Sequence, residues 1–298
     1  MTPNEKGTRR PTDARVALVT GATGFVGGAL AARLVSDGWA VDALVRDPDA
    51  PLPSGVTSHV IPKEVDGLIA LVTRLAPTHC FHLATAFRGV HAAADIEPMI
   101  HANLGFGTAL AEAAARVPEL RFVNTATVWQ HFDAAPYSPV SLYAATKQAF
   151  ADILVFYAEV EGLAVHTLEL MDTYGNGDTR PKLIPFLLRA GAAGMPVEMT
   201  DGAQLIDLVH VDDAVSALLA TADAPAGHTY GARGEGAITL RDLIDRFQTA
   251  TGLALDVRWG ARPARPREML RPWMTAPAPP GWNPAVALHD GLRALVAD

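Results

Sequence analysis

Short apolar runs alternate with amphipathic segments along the first 170 or so residues of the chain. The run at 15–20 is rich in Val and Leu, and an amphipathic segment at 25–36 follows it. Short runs that are apolar at every position predict strands buried on both faces, whereas apolar positions at helical spacing predict helices. The chain therefore opens with a predicted strand and helix, joined by a glycine-rich turn.

The same alternation continues to about residue 170. Further strands are predicted at 40–46, 57–61, 79–84, 121–127 and 164–170. Further helices are predicted at 67–75, 97–116 and 142–161. Strands that alternate with helices in this way predict a parallel sheet with helices packed on both faces.

After residue 172 the pattern changes, because Pro, Gly and Arg become frequent and the elements become shorter. Helices are predicted at 183–192, 213–221 and 239–251, and strands at 205–209 and 254–259. We expect an α/β fold, a Rossmann doubly wound parallel sheet with a smaller C-terminal substrate-binding lobe. The dinucleotide-binding domain is predicted at 15–172 and the lobe at 173–298, with some chain crossing back to the sheet.

Composition narrows the classes of partner. The 298 residues are 49% hydrophobic, enough for a large core, and the net charge of -8 argues against a nucleic-acid surface. No stretch approaches the roughly 20 apolar residues that span a bilayer, and the N-terminus lacks the apolar segment of a signal peptide. The single cysteine, Cys80, lies in an apolar run and cannot form an intrachain disulfide. We expect a cytoplasmic protein whose partners are small molecules.

Three glycines recur at every third position where the first predicted strand gives way to the first helix. Residues without a Cβ let the backbone approach a pyrophosphate, whose charge the helix N-terminus then stabilises. Such a motif by itself is also compatible with a plain tight turn, but its place in a strand-helix-strand series predicts a dinucleotide site. The expected cofactor contacts in this turn are Gly21, Thr23, Gly24, Phe25, Val26 and Gly27.

The end of the second strand bears on which dinucleotide binds. NAD enzymes carry an acidic residue there for the ribose hydroxyl, whereas a nearby arginine can pair with the 2′-phosphate of NADP. Val45 occupies the acidic position and Arg46 follows it. The sequence favours NADP over NAD, with an Arg46 that merely faces solvent as the alternative.

Tyr143 and Lys147 are four residues apart, hence on one face of the predicted helix. A phenol has a pKa of about 10 in water, and a nearby cation favours the phenolate. Tyr143 could then act as a general acid toward a carbonyl oxygen. This spacing by itself is typical of a solvated helix face, but the upstream glycine turn and the presence of only four lysines favour catalysis.

Thr125 lies near the end of the preceding strand and could hydrogen-bond the same oxygen. The alternative is a threonine that only contributes to its strand.

His210, Asp212 and Asp213 could suggest a metal site, but an aspartate that caps the following helix explains them better, and no metal is expected.

Seven segments together resemble the extended short-chain dehydrogenase/reductase family that acts on nucleotide sugars, in order over residues 15–295. They are GATGFVG (21–27), HLAT (82–85), HANLGFG (101–107), NTATVW (124–129), YAATK (143–147), DTYGNGDTRPKLIP (172–185) and QLIDLVHVDDA (204–214). Residues 138–182 are similar to reductases of nucleoside-diphosphate 4-keto-6-deoxyhexoses, including CDP-abequose and CDP-paratose synthases.

This resemblance implies a role for residues matched by position. The implied catalytic residues are Thr125, Tyr143 and Lys147. The implied further cofactor contacts are Leu83, Ala84, Thr85 and Asn103, the last of which would help to hold the lysine and an ordered water. The implied substrate contacts are Thr127, Asp172, Arg180, Lys182 and Arg265. Asp172 departs from the family, whose members usually carry an asparagine that faces the substrate phosphates, and a solvated basic loop is the alternative for Arg265.

The resemblance also implies a reaction, the NADPH-dependent reduction of the C4 keto group of a dTDP- or CDP-linked 4-keto-6-deoxysugar. The dehydratases of the family carry an Asp-Glu pair after the catalytic threonine, where this chain has Ala126 and Thr127. A nucleotide-sugar 4-epimerase remains an alternative, as does a non-catalytic dinucleotide sensor. The family further implies a homodimer through the helices at 97–116 and 142–161.

Overall fold

A computed structural model describes residues 15–297. In chain order its strands are β1 (Val16–Thr20), β2 (Ala40–Val45), β3 (Val56–Val60), β4 (His79–His82), β5 (Arg121–Thr127), β6 (Ala164–Leu170), β7 (Asp172–Tyr174), β8 (Val197–Glu198), β9 (Leu205–Ile206), β10 (Leu208–His210), β11 (Thr229–Ala232), β12 (Ile238–Thr239) and β13 (Val257–Arg258). Its α-helices are α1 (Phe25–Ser36), α2 (Val65–Leu75), α3 (Ile96–Ile100), α4 (Phe106–Ala115), α5 (Leu142–Glu159), α6 (Leu183–Ala193), α7 (Val211–Asp223), α8 (Leu240–Thr251) and α9 (Leu288–Ala294).

The large sheet has the strand order β3-β2-β1-β4-β5-β6-β11. Every neighbouring pair in it is parallel. The order reverses between β1 and β4, and in sheets of this kind a crevice opens at the carboxyl ends of the strands at that point. The predicted Rossmann-type α/β fold is confirmed.

Two apolar cores cover the faces of this sheet. Along β1, Val19 belongs to the core shared with α1 and α7, where Leu30 is fully buried. The next residue toward the N-terminus, Leu18, belongs to the core shared with α2, α4 and α5, where Leu110 and Leu154 are buried. Strand side chains alternate between faces, so a strand covered on both sides must be apolar at every position.

A third core forms the smaller lobe. Short strand pairs, β7 with β10, β8 with β13 and β9 with β12, accompany α6, α8 and α9 there. Leu187, Leu243, Phe247 and Leu292 lie in its fully buried centre. Although α7 and β11 come late in the chain, they pack on or in the large sheet.

Three of the predicted elements differ in the structure, and one of them is the strand at 205–209, which is divided into β9 and β10. The predicted helix at 97–116 is divided into α3 and α4 by a π-helical turn at His101–Gly105. The predicted strand at 254–259 shrinks to β13, and β11 was not predicted because it is only four residues long and contains Gly231. Within residues 15–297, no helix combines the length and apolar character that a bilayer span requires.

Gly107 is placed where α4 crosses α5. A Cβ at Gly107 would lie 2.7 Å from Cε2 of the buried Phe150, whereas a Cβ at Gly105 would meet nothing closer than 3.8 Å. We expect Gly107→Ala to lower the free energy of unfolding by about 1–3 kcal/mol through overpacking. Gly105→Ala, the matched control one half-turn away, should be neutral or stabilising by up to about 1 kcal/mol. Urea denaturation checks this, and equal effects of the two substitutions would contradict it.

Candidate active site

The glycine turn is packed directly against the segment that follows β4. Gly21 has φ +74°, and a Cβ there would lie 2.7 Å from the backbone nitrogen of Ala84. The Leu83 and Ala84 N–H groups donate to the carbonyl and hydroxyl oxygens of Thr20, both at 3.2 Å. A Cβ on Gly27 would lie 2.1 Å from the Gly21 oxygen. Only glycine fits at both positions, and this allows the turn to pack closely against α1 and against the segment that follows β4.

The same turn ends at Phe25, where α1 begins. Gly24 is the N-terminal cap residue of α1, and no side chain among the described residues caps the first turn. The N–H groups at this helix end are therefore available to an anion. Thr23 is exposed beside them, and Val26 packs on the core. The turn fits the pyrophosphate that the sequence predicts.

Arg46 follows the last residue of β2. The parallel register pairs Thr20 with Leu44, so the end of β2 lies beside the start of the glycine turn. Arg46 is exposed there, and Val45 is buried. Its exposure is compatible both with an arginine that binds a 2′-phosphate and with one that faces solvent, so the preference for NADP stays a prediction.

Lys147 lies under this edge and is almost fully buried. Its Nζ donates to the carbonyl oxygen of Thr125 at 2.8 Å. Burial lowers the pKa of Lys147 to about 8. The Thr125 hydroxyl donates to the His82 carbonyl at 3.0 Å, and His82 Nδ1 lies 2.8 Å from the Thr20 hydroxyl oxygen. These contacts connect α5, β5, β4 and β1 in one network.

Tyr143 is 8% exposed, and its ring meets the Phe87 ring edge-on with centroids 4.9 Å apart. Burial and then the charge of Asp172 raise the pKa of the Tyr143 phenol above its ordinary range, while hydrogen bonds with the hydroxyls of Thr127 and Thr85 act in the opposite direction. The direction of this shift contradicts the expectation that a neighbouring ammonium makes the phenol acidic. The reason is that desolvation of the phenolate outweighs the favourable contacts.

The two threonines at the end of β5 have different partners. Thr125 and Thr127 point to the same face of β5 because side chains alternate along a strand. The Thr125 hydroxyl donates to the His82 carbonyl at 3.0 Å, whereas the Thr127 hydroxyl accepts from the Trp129 N–H at 3.3 Å. The role of Thr125 toward the substrate oxygen stays a prediction.

Asn103 lies in the π-helical turn and is 3% exposed. Its Oδ1 accepts from the Thr85 hydroxyl at 3.0 Å and from the Ala86 N–H at 2.7 Å. Its Nδ2 donates to the Ala86 carbonyl and to the Thr146 hydroxyl. The amide thus holds the segment after β4 against α5, and the expected role of Asn103 toward Lys147 stays a prediction.

A cationic and aromatic wall stands beside Tyr143. Lys182 Nζ is 2.8 Å from Asp172 Oδ1, and it lies 4.4 Å from the centroid of the Phe87 ring and 5.2 Å from that of Trp129. Ammonium groups over aromatic faces are held by the ring quadrupole. Asp172 and Lys182, both predicted substrate contacts, therefore lie together next to the phenol as an ion pair.

The two remaining predicted substrate contacts are paired with acids. Arg265 makes two hydrogen bonds of 2.9 Å to the Glu268 carboxylate and lies 5.7 Å from the centroid of the Trp129 ring. The Arg180 guanidinium donates to both carboxylate oxygens of Asp178, and it lies over the Phe25 ring of the glycine turn. Arg265 thus belongs to the same wall as Lys182, whereas Arg180 lies at the cofactor turn.

Sequence reasoning missed the aromatic residues of this wall. Phe87 follows β4 by five residues, and Trp129 follows β5 by two. Aromatic residues that come directly after parallel strands next to a glycine turn were the available signal, since those strand ends share one crevice.

Two of the residues that could have suggested a metal site, Asp213 and His210, accept hydrogen bonds from backbone N–H groups. The Asp213 carboxylate accepts from the N–H groups of Ala285 and Val286. His210 Nδ1, and not an aspartate, accepts from the Asp212 N–H at the start of α7. The expectation of an aspartate cap is wrong in that detail.

The buried ammonium predicts a pH-dependent stability. The pKa of Lys147 is about 8 in the folded protein against 10.5 for an ordinary lysine, so the unfolded chain binds more protons between these values. Wild-type stability should therefore rise with pH across this window, by about 3 kcal/mol relative to Lys147→Met. Urea denaturation at several pH values tests this, with the exposed Lys63→Met as control. A wild-type advantage that fell with rising pH would contradict it.

Comparisons with known proteins agree with this geometry. The model of the NAD dependent epimerase/dehydratase family matches residues 17–232. The chain is similar to CDP-abequose synthase of Salmonella muenchen, with 23% identity over 289 residues, 94% of this chain and 96% of that protein. It is also 29% identical over 324 residues to dTDP-glucose 4,6-dehydratase of Xanthomonas campestris pv. campestris strain B100, covering 94% and 91% of the two chains. The UDP-glucose 4-epimerase of Thermus thermophilus, solved with NAD, superimposes with a TM-score of 0.82 at 24% identity, covering 94% and 97%. The resemblance inferred from the motifs is confirmed, and the chain belongs to the NAD dependent epimerase/dehydratase family.

Proposed function

We propose that the protein is a ketoreductase that uses NADPH to reduce the C4 keto group of a nucleotide-linked 4-keto-6-deoxysugar. The observation that carries the proposal is the pair of buried side chains one turn apart on α5, the Tyr143 phenol and the Lys147 ammonium. A phenol that keeps its proton is a general acid. Reduction of a ketone creates an alkoxide that needs such an acid.

The family supports the choice of substrate. The similarity to CDP-abequose synthase covers nearly the whole of both chains. A 4,6-dehydratase is disfavoured, because Ala126 and Thr127 stand where the family's dehydratases carry an Asp-Glu pair. Neither side chain can exchange the proton that the elimination of water requires.

The cofactor site is built from the glycine turn and the residues beneath it. Its pyrophosphate would be held by the backbone of Gly21–Gly27 and by the uncapped start of α1. When bound, the reduced nicotinamide supplies a hydride. Lys147 is buried at this edge of the sheet and would bind the nicotinamide ribose, and the segment Leu83–Thr85 would line the same crevice.

The residues around the phenol divide the remaining work. Tyr143 donates its proton to the ketone oxygen as negative charge develops there, and the hydroxyls of Thr125 and Thr127 orient that oxygen. Lys182 and Arg265, placed around the Trp129 ring, would take the diphosphate of the substrate. Both must exchange an acidic partner for the phosphate oxygens, which adds selectivity for a doubly charged group.

A homodimer and a cytoplasmic location form part of the proposal. Large apolar side chains are exposed on α3 and at the end of α5, namely Ile96, Ile100, Val155, Phe156 and Val160 at the last turn. Exposed apolar residues gathered on two helices are typical of a surface that a second subunit covers. The single cysteine, buried at Cys80, favours a reducing compartment.

An epimerase differs in the first step of its reaction. It must take a proton from a C4 hydroxyl before it returns one, whereas a reductase only donates a proton, and Arg46 after β2 favours the NADPH that net reduction consumes. A non-catalytic sensor has no need of the Tyr143 and Lys147 pair that this chain keeps. Both alternatives are outcomes of the following experiment.

We expect the protein to oxidise NADPH when given CDP- or dTDP-linked 4-keto-6-deoxyglucose. Tyr143→Phe should lower kcat by about 10²–10⁴-fold, since it removes the general acid. Tyr137→Phe, at an exposed tyrosine of the preceding loop, should leave kcat unchanged. Absence of NADPH oxidation above blank with both sugars would overturn the reductase. Interconversion of C4 configurations of a UDP-sugar, without net oxidation, would establish the epimerase.

Arg46 should set the preference between the two dinucleotides. Loss of a charge-assisted pair with the 2′-phosphate costs roughly 1.5–3 kcal/mol, so Arg46→Ala should lower kcat/KM for NADPH by about 10- to 100-fold while leaving that for NADH almost unchanged. Arg74→Ala, an equal loss of charge at the exposed end of α2, is the control. An unaltered ratio of NADPH to NADH turnover in Arg46→Ala would refute the assignment.

A further inference from the structure

Residues 262–273, which we call the strap, connect the small lobe to the wall beside Tyr143 and lie between β13 and α9, outside any helix or strand. The Leu270 carbonyl of the strap accepts from the Leu205 N–H at 2.9 Å, which ties the strap to the lobe. Arg265 of the strap lies 5.7 Å from the centroid of the Trp129 ring. The contacts that hold the strap therefore also place a predicted substrate contact.

The strap packs on the loop that precedes α5. The Trp273 ring stacks on the His131 ring, with centroids 4.5 Å apart and planes at 14°. Arg267 donates to the Ser138 hydroxyl oxygen at 2.6 Å and lies over the Phe132 ring. His131 is 7% exposed, whereas Arg267 is exposed. The ring stack is therefore the buried part of the contact between strap and loop.

The loop itself has an unfavourable backbone. Asp133 and Ala134 both lie in the left-handed region, with φ of +56° and +55°. Residues other than glycine adopt this conformation rarely, and it persists where surrounding contacts hold it. The loop therefore depends on the side chains that fix its two ends.

His131 meets an oxygen atom at each of its ring nitrogens. Nδ1 lies 3.2 Å from the Ala135 carbonyl oxygen, and Nε2 lies 2.7 Å from Glu169 Oε1 in β6. A carbonyl oxygen can only accept, so Nδ1 carries a proton. A neutral imidazole has one proton, and its Nε2 lone pair would then face the carboxylate. The contact is attractive when a second proton is bound, as in an imidazolium that faces a carboxylate.

Burial makes the Glu169 carboxylate dependent on that proton. Glu169 is 5% exposed, and its Oε2 has no hydrogen-bond partner among residues 15–297. Burial lowers the pKa of His131, but the hydrogen bond and the charge of Glu169 together raise it by more, so the net direction is upward. The paired form is thus the form that the structure favours.

Charged groups on the neighbouring elements are exposed or have other partners. They are Asp133 of the loop, Lys147 and Asp152 of α5, Asp172 of β7, Asp213 of α7, and Arg265, Arg267, Glu268 and Arg271 of the strap. Glu169 is the charged residue that is bonded to His131. The attraction in this contact therefore follows the proton on His131.

We propose that His131 and Glu169 are a positioning pair whose shared proton holds the strap, and with it Arg265, against the cationic and aromatic wall beside Tyr143. As the pH rises, the Nε2–H bond of His131 breaks and the proton passes to solvent water. The Nε2 lone pair then faces the carboxylate, and the stack with Trp273 loosens. The role of Arg265 toward the substrate rests on the proposed function, whereas the hold on the strap does not.

The sign of the pH effect follows from the pKa of His131. This pKa lies above the ordinary value of 6.5 in the folded protein, so the stabilisation is complete at acidic pH and is lost as the pH rises through the folded value. The strap is therefore held at about pH 6 and released at about pH 9.

The test compares wild type with two variants at these pH values. Glu169→Gln offers His131 an amide that can donate to the Nε2 lone pair, so it should hold the strap at both pH values. His131→Gln lacks both the charge and the ring, so it should release the strap at both. Asp42→Asn is the matched control, because Asp42 Oδ1 lies 2.8 Å from His59 Nε2 in strands that β1, β4 and β5 separate from β6.

Trypsin cleavage after Arg267 measures the release of the strap. The other arginines of the strap, Arg262, Arg265 and Arg271, are each followed by proline, which blocks trypsin. Relative to Glu169→Gln at the same pH, wild type and Asp42→Asn should be cleaved equally fast at about pH 6 and about 10-fold faster at about pH 9. His131→Gln should be cleaved faster than Glu169→Gln at both.

The KM for the keto sugar nucleotide measures the placement of Arg265. We expect the wild-type KM to rise about 10-fold more than that of Glu169→Gln between the two pH values, the effect of one charge-assisted hydrogen bond. The pH dependence of kcat should be alike in both, because Lys147, whose pKa is about 8, titrates in both.

The outcomes separate this inference from the proposed function. Equal pH dependence of cleavage in wild type and Glu169→Gln would overturn the pair's hold on the strap. If Glu169→Gln does not fold, as judged by circular dichroism, cleavage of His131→Gln that is as slow as in wild type at about pH 6 would overturn it instead. A cleavage that follows the proton while KM does not would overturn the role of Arg265. If no keto sugar is reduced, the proposed function fails, and the cleavage still decides whether the pair holds the strap.

Discussion

The site depends on one buried hydrogen bond, from the Lys147 ammonium to the Thr125 carbonyl. A charge removed from water is strongly destabilising unless it finds a polar partner, so this contact holds α5 to the carboxyl end of β5. The start of α5 is held as well, because the Ser141 hydroxyl accepts from the Ala144 N–H. Tyr143 lies between these two attachments, and its phenol is therefore carried to the edge of the sheet where the glycine turn ends.

The same burial sets the chemistry of the phenol. An ammonium whose own pKa has dropped to about 8 is a weaker source of positive charge near neutral and alkaline pH than a solvated lysine. Tyr143 is desolvated together with it and faces the Asp172 carboxylate, so its proton is retained. A protonated phenol in a dry crevice suits a reaction in which an oxyanion appears, because the acid is ready before the charge develops.

Paired charges surround this crevice. Lys182 is neutralised by Asp172, Arg265 by Glu268 and Arg180 by Asp178, so each of these cations brings its own carboxylate. Asp172 is the departure from the family's usual asparagine, and its pairing with Lys182 explains how an acid is tolerated where phosphate is expected.

The amino-acid sequence by itself determined the sheet, the glycine turn and the Tyr143/Lys147 spacing, since hydrophobic period and helix geometry are local properties. It did not predict β11, whose four residues are held by pairing with β6 and by the packing of Tyr230 and Ala232 in the core. Nor did it indicate that the Phe87 ring meets the Tyr143 ring or that the phenol's pKa rises rather than falls. Those outcomes depend on which groups from distant strands share one buried space, and that was decided by the tertiary structure, because desolvation and contact act between residues far apart in the chain.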